Sequence, residues 1–193
     1  MTESEQPERD TYVLRDAAVM RAMAHPARLA ILEYLGRGNE ATATECAEVC
    51  GLSPSATSYH LRALARFGLI EEAPSRGDGR ERVWRSATGG IFIGDDVARA
   101  PENLPAAVAL MDVWFTRELG RAREWMLRAD GTEPKEWTDG AAFTGSALVM
   151  TAAELAEVTS AVLALLEPYG RHHRKNPPAD ARRVTSVFVA FPD

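Results

Sequence analysis

Cysteine, lysine and histidine are all scarce in this chain: 193 residues include two, two and four of them. Two cysteines cannot build a disulfide framework, and Cys46 and Cys50 stand only four positions apart. No apolar run reaches the roughly 20 residues that a membrane-spanning helix needs. The opening stretch, MTESEQPERD, is acidic and polar, unlike a secretory signal. The expected location is therefore the cytoplasm, with no membrane partner. No glycine-rich loop follows a predicted strand, and the carboxylates are scattered along helix faces with no nucleophile spaced to a base. An enzyme is not expected, nor a cofactor.

What is there starts with charge distribution. The net charge of −6 argues on its face against a nucleic-acid partner, but placement matters more than the sum. Residues 52–86 hold six arginines (62, 66, 76, 80, 82 and 85) against four carboxylates, whereas the flanking regions are acidic. A basic patch of this size on an acidic protein suffices for phosphate contacts.

Residues 52–70, LSPSATSYHLRALARFGLI, lie inside that basic stretch. Ser53 offers an N-cap oxygen, and Pro54 sits where its missing N–H costs nothing. Thr57, Leu61 and Leu64 recur at helical spacing and face a core. Ser55, Ala56, Ser58, Tyr59 and Arg62 fall on the other side, and Gly68 ends the helix. Three shorter helices are expected before it, over about 11–23, 26–35 and 44–49. Thr42 or Thr44 caps the last of these, and Cys46, Val49 and Cys50 face inward. Gly51 then makes the tight turn of a helix-turn-helix. After Gly68 the period changes: 69–73 and 80–85 read as strands joined by SRGDG, a hairpin tip. Helices followed by such a hairpin describe a winged helix, with 54–67 as recognition helix and 69–86 as wing.

The runs AHPARLAILEYL and ATECAEVCGLSPSATSYHLRALARFGLIEE, with the glycine-tipped basic hairpin after them, resemble winged-helix repressors of the ArsR type over about residues 16–86. The resemblance implies a homodimer whose two recognition helices enter successive major grooves of a palindromic operator in double-stranded DNA. It also implies that Thr57 and Leu61 look inward and that His60 lies at the boundary between helix and DNA. The expected DNA-binding set is Ser55, Ala56, Ser58, Tyr59, His60, Arg62 and Arg66 on the helix, with Arg76, Arg80 and Arg82 on the wing. Hydroxyls suit phosphates and base edges, Ala56 suits a thymine methyl, and Arg62 suits a guanine or a phosphate. Glu71 and Glu72 fit such a surface only by pointing away or by pairing with arginines.

Metal or thiol sensing through Cys46 and Cys50 is an alternative reading, since two soft thiolates on one helix face could join a ligand set. Thiolate sensors of the family place their cysteines two apart at the start of this helix. Here both cysteines instead occupy positions where leucines would pack, and buried cysteine behaves as a small hydrophobe. The long helix further on contains no histidine for the family's second metal site. No metal ligand is therefore assigned. His172 and His173, adjacent in a basic loop, read as a solvated turn. A winged helix used for protein contact is the other alternative, which the local positive charge disfavours.

The expected fold class is α+β, mainly helical: a winged helix-turn-helix over 11–86, a linker over 87–103, and a dimerisation and effector domain over 104–193. Residues 104–128 carry Leu104, Val108, Met111, Phe115, Leu119, Ala122 and Met126 at four- and three-residue steps. That stripe is too broad for one helix to bury alone, and it resembles the dimerisation helix of related repressors. Residues 142–150 and 184–191 read as strands flanking a helix that the capping box Thr151–Glu154 opens. The aromatics of this half (Trp114, Phe115, Trp125, Trp137, Phe143, Tyr169, Phe188 and Phe191) read first as a core or a dimer interface. They could also line a cavity for a small organic effector, and such a ligand or a partner would release DNA by shifting the angle between the two readers.

Overall fold

The computed structural model describes residues 11–14, 16–76, 81–88, 90–93, 95–129, 131–170, 174 and 176–192. Two units divide the chain, Met1–Leu119 and Gly120–Asp193. The first opens with β1 (Thr11–Leu14), α1 (Ala17–Met23), α2 (Pro26–Gly36), β2 (Ala41–Thr42), α3 (Ala43–Cys50) and α4 (Pro54–Ala65). It continues with β3 (Ile70–Ala73), β4 (Val83–Ser86), β5 (Gly90–Ile93), α5 (Asp95–Arg99) and the start of α6 (Leu104–Ala129).

Each helix of the reader starts on a side-chain cap. Asp16 Oδ1 accepts from the Ala18 N–H at 2.7 Å. The His25 ring caps α2, its Nδ1 accepting from the Ala27 N–H at 3.1 Å, and Pro26 occupies the first helical position. Thr42 and Glu45 form a capping box at α3. Ser53 Oγ accepts from the Ala56 N–H at 3.3 Å to begin α4. Between α3 and α4 the backbone turns at Gly51 with φ +63°, a left-handed conformation that costs glycine little and other residues about 1 kcal/mol or more. Leu14, Met20, Ile31, Leu35, Leu61, Leu64 and Leu69 form the fully buried centre of this unit. Ala106, Ala107 and Leu110 of α6 join the same cluster.

The wing is a three-stranded antiparallel sheet in the order β2-β4-β3, with Ile70 opposite Ser86 and Glu71 opposite Arg85. Its third strand, β2, pairs Ala41 with Trp84 and is too short for any periodicity to announce. Two expectations need correction here. Residues 11–14 form a strand and not the first turn of a helix, because they pair in parallel with 90–93, setting Tyr12 opposite Ile91. That neighbour is nearly eighty positions away, which local pattern cannot see. For the same reason the segment 87–103 is not a bare linker: it holds β5 and α5.

The second unit contains the rest of α6, α7 (Lys135–Asp139), α8 (Ala152–Leu166) and a 3₁₀ turn over Glu167–Tyr169. The capping box at α8 is formed, Thr151 Oγ1 accepting from the Glu154 N–H at 3.2 Å. The flanking segments expected as strands carry no ladder. β-propensity states a preference, and a strand exists only where a neighbour accepts its hydrogen bonds. No helix among the described residues is long and apolar enough to cross a membrane.

Candidate nucleic-acid interface

Helix α4 sorts its residues by period. Thr57, Leu61 and Leu64 are fully buried, and Thr57 satisfies its hydroxyl by donating to the Ser53 carbonyl at 3.0 Å. Opposite them Ser55, Tyr59, Arg62 and Arg66 are exposed and Ser58 half-exposed, spaced three and four apart along one stripe. Tyr59 is the most prominent, 60% exposed despite its size. Arg62 and Arg66 make no ion pair among the described residues; Arg66 lies 5.8 Å from the Phe67 ring centroid. Ala56 is half-exposed beside this stripe.

His60 does not share that face. It is 8% exposed, and its ring turns inward to the His25 ring, with centroids 4.4 Å apart. Arg28 Nε donates to His60 Nδ1 at 3.4 Å, and Arg28 Nη1 donates to the Ala22 carbonyl at 2.7 Å. Burial pushes the pKa of His60 down, with the charges of His25 and Arg28 adding to it; burial and then Arg28 do the same for His25. The arrangement joins the start of α2 to the middle of α4. Helical spacing does not announce it, because His25 falls between the expected helices 11–23 and 26–35 and belongs to neither stripe. A neutral ring that can cap the following N–H was the signal available.

On the wing, the arginines meet carboxylates. Arg82 pairs with Glu72 at 3.0 Å, and Arg85 with Glu71 at 2.8 Å. These contacts resolve the awkward acidic pair: cross-strand partners hold both glutamates. Arg76 pairs with Glu45 at 3.3 Å and also donates to the Glu40 carbonyl. Arg80 lies outside the described residues, as do His172 and His173. Among the described residues of the expected DNA-binding set, Arg62 and Arg66 are the arginines that meet no carboxylate, whereas Arg76 and Arg82 each meet one.

Cys46 is fully buried, and its thiol is pushed up to about 12, first by burial and then by Cys50 and Glu45. Cys50 is half-buried, donates to the Ala27 carbonyl at 3.6 Å, and is likewise raised by burial. Both pack as small hydrophobes. Val49, expected beside them, is 41% exposed. Among the described residues no cluster of three metal-ligating side chains occurs.

Within the second unit a groove of about 450 Å³ is lined by Trp125, Met126, Phe143, Glu133, Lys135 and Thr138. The Trp125 and Phe143 rings lie 5.8 Å apart. Arg182 closes on Glu133 at 2.7 Å and sits 4.8 Å from the centroid of Trp137.

Residues 23–73 match the family described as Helix-turn-helix domain. Over 55 residues the chain is 46% identical to "HTH-type transcriptional regulator YgaV" of Escherichia coli (strain K12), covering 28% of this chain and 56% of that protein. Over 65 residues it is 38% identical to a "Probable mercury resistance operon repressor" of Streptomyces lividans, covering 34% of this chain and 49% of that protein. The chain thus spans about half the length of these two relatives. Among solved structures, a fragment from Mycobacterium bovis is described as a homodimeric winged helix-turn-helix DNA-binding domain of a possible ArsR-family regulator. It is 32% identical, covering 48% of this chain and 76% of that one, with a TM-score of 0.33.

Proposed function

We propose that this winged helix-turn-helix protein of the ArsR type is a homodimeric transcriptional repressor that binds a palindromic operator in double-stranded DNA. The observation that carries the reading is the outer stripe of α4. Ser55, Ser58, Tyr59, Arg62 and Arg66 are presented together, and neither arginine meets a carboxylate among the described residues. Arginine without an internal partner is available to phosphate oxygens or to a guanine edge, and short hydroxyls let a helix approach the groove closely. The wing arginines Arg76 and Arg82 serve the adjacent backbone. The dimer sets two such helices one helical turn of DNA apart. The groove beside Trp125 is the place for a small organic effector with an apolar ring, oriented by Lys135 or Thr138.

The test is fluorescence anisotropy with DNA taken from upstream of the protein's own coding sequence. Specific binding should exceed binding to unrelated DNA by about 10³-fold or more, and it should weaken steeply as salt rises. Equal affinity for both DNAs would overturn the proposal.

A further inference from the structure

Tyr59 is the aromatic side chain of the outer stripe of α4, and although exposed it is braced from behind. The His60 ring stands at 70° to it, with centroids 5.5 Å apart. The guanidinium carbon of Arg28 lies 6.0 Å from its ring centroid, within reach of a cation–π contact. Arg28 stands in the first turn of α2, outside the expected DNA-binding set. It is half-buried and its donors turn inward, Nη1 to the Ala22 carbonyl of α1 at 2.7 Å and Nε to His60 Nδ1 at 3.4 Å. One planar group thus ties α1, α2 and α4 together beside the tyrosine. Exposed side chains ordinarily exchange rotamers within picoseconds to nanoseconds, and these contacts oppose that exchange at Tyr59.

We propose that Arg28 is a positioning residue for base readout: it holds the Tyr59 ring so that the tyrosine enters the major groove already in place, and it does not itself touch DNA. The inference rests on the DNA-binding reading above and adds to it a residue from behind the reading face. Immobilising a side chain on binding lowers affinity severalfold, and a side chain fixed beforehand escapes most of that loss. A guanidinium suits the task because its rigid fork donates in two directions while its charge attracts the face of a ring. A lysine ammonium is a point charge on a flexible stem and cannot hold all three groups at once. The same geometry separates Arg28 from Arg62 and Arg66. Two of its nitrogens are already committed inside the protein, whereas those two arginines are exposed and meet no carboxylate among the described residues. The consequence falls on specificity. Phosphate contacts strengthen binding to any sequence, whereas base contacts separate an operator from other DNA. Losing a residue that aims a base contact therefore lowers the ratio of the two affinities and spares the salt dependence, which counts phosphates.

The experiment is fluorescence anisotropy on the full chain across a salt series, with DNA from upstream of its own coding sequence and with unrelated DNA. Arg28→Gln should weaken specific binding about fivefold per subunit, roughly 25-fold for the dimer. Binding to unrelated DNA should change by less than about twofold, and the salt slope should stay at the wild-type value. In a Tyr59→Ala background the same substitution should have almost no further effect, because nothing is left to position. Arg28→Lys keeps the charge and should show the same pattern at about half the logarithmic size; it carries the test if Arg28→Gln does not fold. Three results would overturn the proposal. One is an unchanged ratio of specific to unrelated binding in the Arg28 variants, which leaves the DNA-binding reading standing. Another is a salt slope lowered by about one per subunit, which makes Arg28 a phosphate contact in its own right. The last is a full multiplicative loss in the Tyr59→Ala background, which makes the two residues independent. A wild-type chain with equal affinity for both DNAs overturns the DNA-binding reading as well.

Discussion

Lowering the pH should loosen the DNA reader through two histidines, His25 and His60. Their rings lie 4.4 Å apart, and Arg28 donates to His60 at 3.4 Å. Each ring keeps Nδ1 as an acceptor, His25 for the Ala27 N–H and His60 for Arg28. Protonation removes the acceptor and adds a cation beside a cation. At an effective dielectric of about 20, two charges at that ring separation repel by about 4 kcal/mol, so the folded state resists charging the pair. Both pKa values are accordingly lowered, desolvation being the larger cause in each. An unfolded histidine titrates near 6.5, so below about that pH the unfolded chain binds more protons than the folded one. The stability associated with the neutral rings is fully present above pH ~7. It is lost as pH falls through ~6.5 toward the folded-state values, by up to about 1.4 kcal/mol per ring for each pH unit. Between about pH 6.5 and 5.5 the pair therefore loses stability, below that ceiling because His25 is only half-buried. Urea unfolding at a series of pH values measures it. His25→Asn keeps a capping oxygen and His60→Gln an acceptor, so the double variant should fold while its stability loses this slope. Identical slopes for the wild type and the double variant would refute the reasoning.

Four further outcomes follow from the geometry. Arg62→Ala should cost about 1–3 kcal/mol of specific affinity if the guanidinium reads a base, whereas Arg66→Ala should lower the salt slope by about one per subunit if it holds a phosphate; both are read by anisotropy against salt. Glu72→Gln removes the carboxylate that pairs with Arg82, so DNA affinity should rise and its salt dependence steepen; unchanged binding would take Arg82 out of the interface. Gly51→Ala puts a side chain at φ +63° and should lower stability by about 1–2 kcal/mol in urea unfolding, with little change at the neighbouring exposed Leu52→Ala. A thiol reagent at neutral pH should modify Cys50 first and Cys46 only on unfolding, since Cys46 is fully buried and its thiol is pushed up to about 12; equal rates would contradict its packing.

Legibility in the sequence followed the range of the interactions. The turn at Gly51, the Ser53 cap and the buried set Thr57, Leu61 and Leu64 are local, and each was readable from spacing alone. The exposed stripe of α4 followed from the same period. What escaped was non-local. Pairing of β1 with β5 depends on residues far apart in the chain, and β2 is a strand only because β4 passes beside it. His60 shows the limit most clearly: its position on the helix was right for an edge, and its burial was decided by His25 and Arg28 from another helix. The wing carboxylates were a puzzle in one dimension that cross-strand register resolved.

Glu45 has a consequence for how the wing opens. Its carboxylate accepts from the Thr42 N–H at 2.6 Å within the capping box, and its other oxygen meets Arg76 at 3.3 Å. The first turn of α3 and the loop that follows β3 thus share one group, whose pKa is held low chiefly by that backbone hydrogen bond. Local opening of that loop takes a partner from the carboxylate that starts the helix, a loss of up to about 1 kcal/mol for a pair this exposed, while the Thr42 capping bonds remain. Wing and helix-turn-helix are therefore weakly coupled at this point, and a tug on the hairpin loop should be felt at the first turn of α3.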